Sequence, residues 1–123
     1  MLSLVNKERR RHGMSNLSFE SSLNTAAQAH SDDMRRRVFF NHTGSDNSKF
    51  STRIRRTGYN FRCGAENIST HRTITSSHNG LMNSEGHRRN ILNPNYRHIG
   101  IGIETYTRGR YKGNFAITQV FTD

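Results

Sequence analysis

Apolar residues follow a helical spacing through the first half of this chain and a strand spacing in its last third. Leu2, Val5 and the stem of Arg9 share one stripe and predict a short amphipathic helix over 2–12, ended by Gly13. Ser18 is placed to cap the next helix, because its hydroxyl can accept from an amide two or three residues on. That helix carries Leu23, Ala26, Ala27, His30, Met34 and Val38 at spacings of 3, 4 and 7, the period of a core-facing stripe. Phe39 and Phe40 then lead in a polar loop, running to Ser48, that displays His42. A short helix over about 48–57 ends at Gly58, and Tyr59 to Asn67 reads as extended. Residues 73–83 form a weakly signalled helix, since Thr, Ser and Asn are poor interior formers, and Asn93-Pro94 breaks the chain. His98 to Glu104 alternates strictly, with Ile99, Ile101 and Ile103 on one face. Gly100 and Gly102 lie on the other face, where something must pack closely. Turn residues from Arg108 to Asn114 lead to a second strand, Phe115 to Phe121, and so to an antiparallel hairpin. Helices first and strands last predict an α+β layered domain rather than repeating βαβ units.

Composition sharpens this picture. A chain of 123 residues suits one domain, 1–123, and its apolar share of 31% demands a compact core under a strongly polar exterior. No segment approaches the ~18 apolar residues of a membrane span. Met1-Leu2-Ser3-Leu4-Val5 is too short for the apolar stretch of a secretion signal. The net charge of +10 comes almost wholly from arginines, grouped at Arg9–Arg11, Arg35–Arg37, Arg53/Arg55/Arg56 and Arg88–Arg89. Such a surface draws anionic polymers or membranes by its field, or is simply a solvated exterior. No aromatic interleaving accompanies the arginines, so specific nucleic-acid binding is not expected. Cys63 is the only cysteine, which excludes an intrachain disulfide and suits a small half-buried apolar position.

Candidate chemistry gathers in Asn83–Pro94, where Ser84, Glu85 and His87 fall within one helical turn, and in two distant residues, His42 and Glu66. His42, Glu66 and His87 form a sound ligand set for Zn2+ or another divalent cation. They equally suit proton transfer, because an imidazole titrates near neutrality. Each also has a plainer use: His42 capping its turn, Glu66 accepting backbone amides, His87 pairing with Ser84. A nucleophilic reading takes Ser84 as attacking group, His87 as base and Glu66 or Glu85 as orienter. Against it, no strained glycine elbow surrounds Ser84 and no glycine-rich oxyanion loop is evident.

Six motifs in order resemble the CAP superfamily (cysteine-rich secretory proteins, antigen 5, pathogenesis-related proteins) in its prokaryotic form. They are Val5–Arg9, Leu23–Met34, Phe40–Thr43, Gly64–Ile68 with an extra alanine, Asn83–Asn93, and Thr118–Phe121. The resemblance implies a three-layer α/β/α sandwich around a central antiparallel sheet, with a cleft. His42 and Glu66 match two of the family's four cleft residues; the second glutamate falls on Ser84, with Glu85 as a stand-in, and the second histidine on Ala116. Leu81 stands where the family usually has tryptophan. The implied cleft comprises His42, Glu66, Ser84, Glu85, His87 and Gln119. The expected protein is a monomeric, secreted or cell-surface binding module, without turnover and with no required cofactor, taking a divalent metal or a small lipid-like ligand. The alternatives are a zinc-assisted hydrolase (protease or esterase) in the same cleft, and adhesion to an anionic polymer or membrane.

Overall fold

The computed structural model describes residues 1–123. In chain order the elements are α1 (Leu2–Arg11), β1 (Ser18–Phe19), α2 (Ser21–Arg37), α3 (Phe50–Arg55), β2 (Gly64–Ser69), α4 (Ile74–Met82), α5 (Glu85–Ile91), β3 (His98–Thr105) and β4 (Phe115–Thr122). Four strands lie in the order β1-β3-β4-β2, antiparallel except for the two-residue β1, which pairs parallel to β3.

The alternation along β3 and β4 sorts their side chains between two layers. Ile99 and Phe121 join Val5, Leu81 and Ile91 on the α1/α4/α5 side, while Val120 packs with Leu23, Ala26, Ala27 and Ile54 on the α2/α3 side. Helices therefore cover both faces, as the α/β/α reading requires. Gly100 and Gly102 explain how near α2 comes: a Cβ at either would fall on the main chain of Leu23 and Asn24, or of Ala27 and Gln28. Beyond the short β1, β3 has no strand neighbour on that side. The Gln28 amide takes its place, accepting from Ile103 N and donating to Ile103 O, both at 3.1 Å, and Asn24 Oδ1 accepts from Ile101 N.

Four sequence expectations need correction. Ser18 belongs to β1; the cap of α2 is Glu20, whose carboxylate accepts from Ser22 N. Val38 ends α2 instead of extending its stripe, in a left-handed conformation (φ 54°) unusual for a β-branched residue. Extended pairing begins only at Gly64, so Tyr59–Cys63 precede the sheet. Cys63 is exposed because it lies outside the strand, and its N–H and that of Arg62 donate to Asp123 Oδ1. The weak helix at 73–83 forms as α4, supported by a reciprocal capping box between Thr73 and Ser76.

Candidate functional site

β2 is an edge strand, and its alternation sends Glu66 to the α2/α3 side and Asn67 to the other. Glu66 is nearly inaccessible. Its Oε1 accepts from His42 Nδ1 at 2.8 Å and its Oε2 from the Arg53 guanidinium at 2.8 Å. The buried carboxylate is thus charge-compensated by Arg53 and fixes the His42 ring. Because a carboxylate can only accept, Nδ1 of His42 carries a proton, and in the neutral form of this half-exposed ring Nε2 is the bare acceptor.

The loop presenting His42 is held at three carbonyls. Tyr106 Oη donates to Phe39 O at 2.7 Å, His30 Nε2 to Asn41 O at 2.8 Å, and Arg53 to His42 O at 3.0 Å. Each donor comes from a different element or turn, so the loop position is fixed by tertiary structure. Asn41 Oδ1 adds a local turn by accepting from Thr43 N.

On the opposite side, α5 is pinned to β2 by amides. Asn67 Nδ2 donates to His87 O and to Gln119 Oε1, each at 3.1 Å, and Asn90 Nδ2 donates to Asn67 Oδ1 at 2.8 Å. The His87 ring pairs with Ser84, Nδ1 to Oγ at 2.8 Å. Burial, assisted by the nearby charge of His42, depresses the His87 pKa, so this ring is neutral at physiological pH.

Two hollows flank β2. One, about 470 Å3, is lined by His42, Lys49, Phe50, Glu66 and Asn90 among others; the second, about 210 Å3, by Phe40, Ile68, His71, Leu81, Ser84 and His87. The 40–43 loop and α5 contribute to both, and the two hollows together are the groove along the strand edge; its lining surface is mainly apolar throughout, with Lys49, Glu66 and Asn90 at one end and Ser84 and His87 at the other.

Not every candidate residue joins this groove. Glu85 is exposed and paired with Arg89 one helical turn away, so it does not stand in for a cleft acid. Gln119 is buried on the α1 side, bound to Asn67 and the Met1 sulfur, and supports α5 without lining the groove. Ala116 lies in an apolar cluster with Met34, Ile68 and Tyr106. His42, Glu66 and His87 do not form a cation cage: no three His, Cys, Asp or Glu side chains are grouped to hold a metal ion. The reason is local, since both Glu66 oxygens are taken and one faces a guanidinium. A hydrolytic triad is missing as well, because Glu66 orients His42 rather than His87. Reading the sequence by residue type overlooked Arg53, Asn67 and Asn90. The Asn following the Glu66 carboxylate was the one available signal.

A sequence model described as "CAP: Cysteine-rich secretory protein family" matches residues 2–121. The chain is 35% identical over 103 residues to the uncharacterized protein YkwD of Bacillus subtilis, covering 83% of this chain and 40% of that one. It is 31% identical over 116 residues to the uncharacterized membrane protein YlbC of the same organism, covering 94% and 33%. The chain therefore spans less than half the length of both relatives. Among solved structures, an extracellular protein containing an SCP domain from Bacillus anthracis superposes with a TM-score of 0.85 at 29% identity, over 98% of this chain and 38% of that one. An outer surface protein from Borrelia burgdorferi gives 0.86 at 17% identity, over 99% and 88%. No helix of this chain is long and apolar enough to cross a membrane.

Proposed function

The chain belongs to the CAP family of cysteine-rich secretory proteins, and from that membership we propose that it is an extracellular or cell-surface binding module. Its ligand site is the groove along β2. The observation that carries this reading is the bare Nε2 of His42, held toward the groove by buried Glu66, where neither a nucleophilic triad nor a metal cage is assembled. The groove's mainly apolar lining, with His42, Lys49 and Asn90 at one end and Phe40, Ile68 and Leu81 at the other, favours a small amphiphile, with its head at His42 and its tail toward Leu81. The extracellular setting draws on the descriptions of the two structural relatives.

Calorimetric titration with decanoate tests this. Saturable binding that weakens about tenfold in His42→Gln is the expected outcome. Hydrolysis of peptide or ester substrates that vanishes in His87→Ala would instead make the groove catalytic. Heat of zinc binding that disappears in His42→Ala would restore the metal reading.

A second reading, adhesion to an anionic surface, draws on one further contact. Arg108 donates to Arg36 O at 2.8 Å, bringing the β3–β4 turn with Arg110 and Lys112 against the basic C-terminal end of α2. Retention on anionic vesicles should fall steeply as salt rises; a flat response removes this reading.

A further inference from the structure

Three segments meet at one end of the sheet, where β2 and β3 finish and β4 starts. The Arg108 bond to Arg36 O joins the β3–β4 turn to the end of α2, and Phe115 N donates to His71 O at 2.8 Å. Residues 36–40, 70–72 and 106–114 therefore form a single face.

That face carries Arg36, Arg37, Arg72, Arg108, Arg110 and Lys112, all exposed. None of the last four takes part in an ion pair. Arg36 and Arg37 reach Asp32 and Asp33 only at 3.6 and 3.7 Å. Those carboxylates are better held elsewhere, Asp32 by Arg35 at 2.7 Å and Asp33 by Ser45 Oγ at 2.6 Å, and Glu104 is turned to Arg35. A strong positive field is left at this end of the molecule.

The cations surround aromatic rings. Half-buried Tyr111 has its ring centre 4.9 Å from that of Tyr106 and 6.1 Å from that of Phe40, and the Arg110 guanidinium lies 5.2 Å above it. Aromatic rings among basic side chains suit the headgroup region of a bilayer, where an apolar body and a wet rim are both accommodated. A soluble polyanion would pair the cations and leave the rings without a partner.

The groove borders this face. Phe40 and His71, from two of its three segments, wall the 210 Å3 hollow, while the His42 end lies farther along β2 toward Gly64. An amphiphile leaving a bilayer head first would pass Phe40, bring its head to His42 and keep its tail near the face.

We propose that this end of the sheet docks on an anionic bilayer, with the Phe40 hollow of the groove against the headgroups. The route for a ligand rests on the groove being the binding site; the docking itself does not.

Vesicles of phosphatidylcholine and phosphatidylglycerol carrying a headgroup nitroxide, mixed with the 15N-labelled full chain, test this by NMR. Amides of Phe40, 70–72 and 106–114 should broaden, and those of 13–16 and 85–89 should not. Arg110→Glu/Lys112→Glu, at two exposed turn positions, should keep the melting temperature and weaken vesicle binding about thirtyfold or more. This variant should still bind decanoate from solution, whereas His42→Gln should bind decanoate weakly and dock as before, which separates failure of the face from failure of the groove. Three results would overturn the proposal: broadening spread equally over 13–16 and 85–89, vesicle binding unchanged in the double variant, or binding to polyglutamate with none to vesicles.

Discussion

Arg9 and Arg53 belong to arginine groups that look alike in the sequence, yet both are buried, at 2% and 8% exposure. Arg9 donates to the carbonyls of Ser15, Ile91, Asn93 and Tyr96, tying α1 to the chain that leaves α5. Arg53 compensates Glu66 and supports the His42 loop. Arg53→Met should therefore leave a buried carboxylate unpaired and cost about 3–5 kcal/mol in urea unfolding. The double variant Arg53→Met/Glu66→Leu should recover most of that loss, and failure to recover it would mean the pair is not the cause. The stem of Arg9 was legible from its place on the Leu2–Val5 stripe, whereas its guanidinium partners, being main-chain carbonyls, leave no trace in residue type. Arg53 lacked even the stripe, because α3 has only 6 residues.

At the scale of elements, local pattern served best where packing enforced it. The α2 stripe and the glycine face of β3 are two sides of one contact, and each was readable alone because the helix backbone touches the strand there. Gly102→Ala should force them apart and destabilise the fold by about 3 kcal/mol or more, as read from the urea midpoint. An unchanged midpoint would mean that α2 does not sit against β3. The start of α2 was misplaced because Ser18 and Glu20 can both cap, and the choice is made by β1 pairing with distant β3. The groove had the same difficulty. His42 and Glu66 were identifiable as candidates, but Glu85 was assigned to the site by its place beside Ser84 and Gln119 by the family resemblance alone. Helix phase and strand alternation turn both away.

For the whole molecule, histidine burial sets the acid response. His30, His78 and His87 all have pKa values lowered from 6.5, with desolvation the first cause in each. The unfolded chain therefore takes up protons that the folded chain refuses, so stability is complete above about 6.5 and falls as the pH drops below it. Melting temperature should decline between about pH 6.5 and about pH 5, before most carboxylates titrate. A flat profile over that window would show that these rings are solvated. The net charge of +10 at pH 7, which grows as the histidines protonate, adds repulsion throughout this window and makes salt the natural control for this experiment.

The arrangement on which the groove depends is the clamp Arg53–Glu66–His42, and the protonation of the His42 ring reports it most directly. A long-range 1H–15N spectrum at a pH where the ring is neutral should show His42 with its proton on Nδ1 and a bare Nε2, the less common imidazole form, reverting in Glu66→Gln. A ring protonated on Nε2, unaffected by that substitution, would contradict the clamp and the binding site built on it.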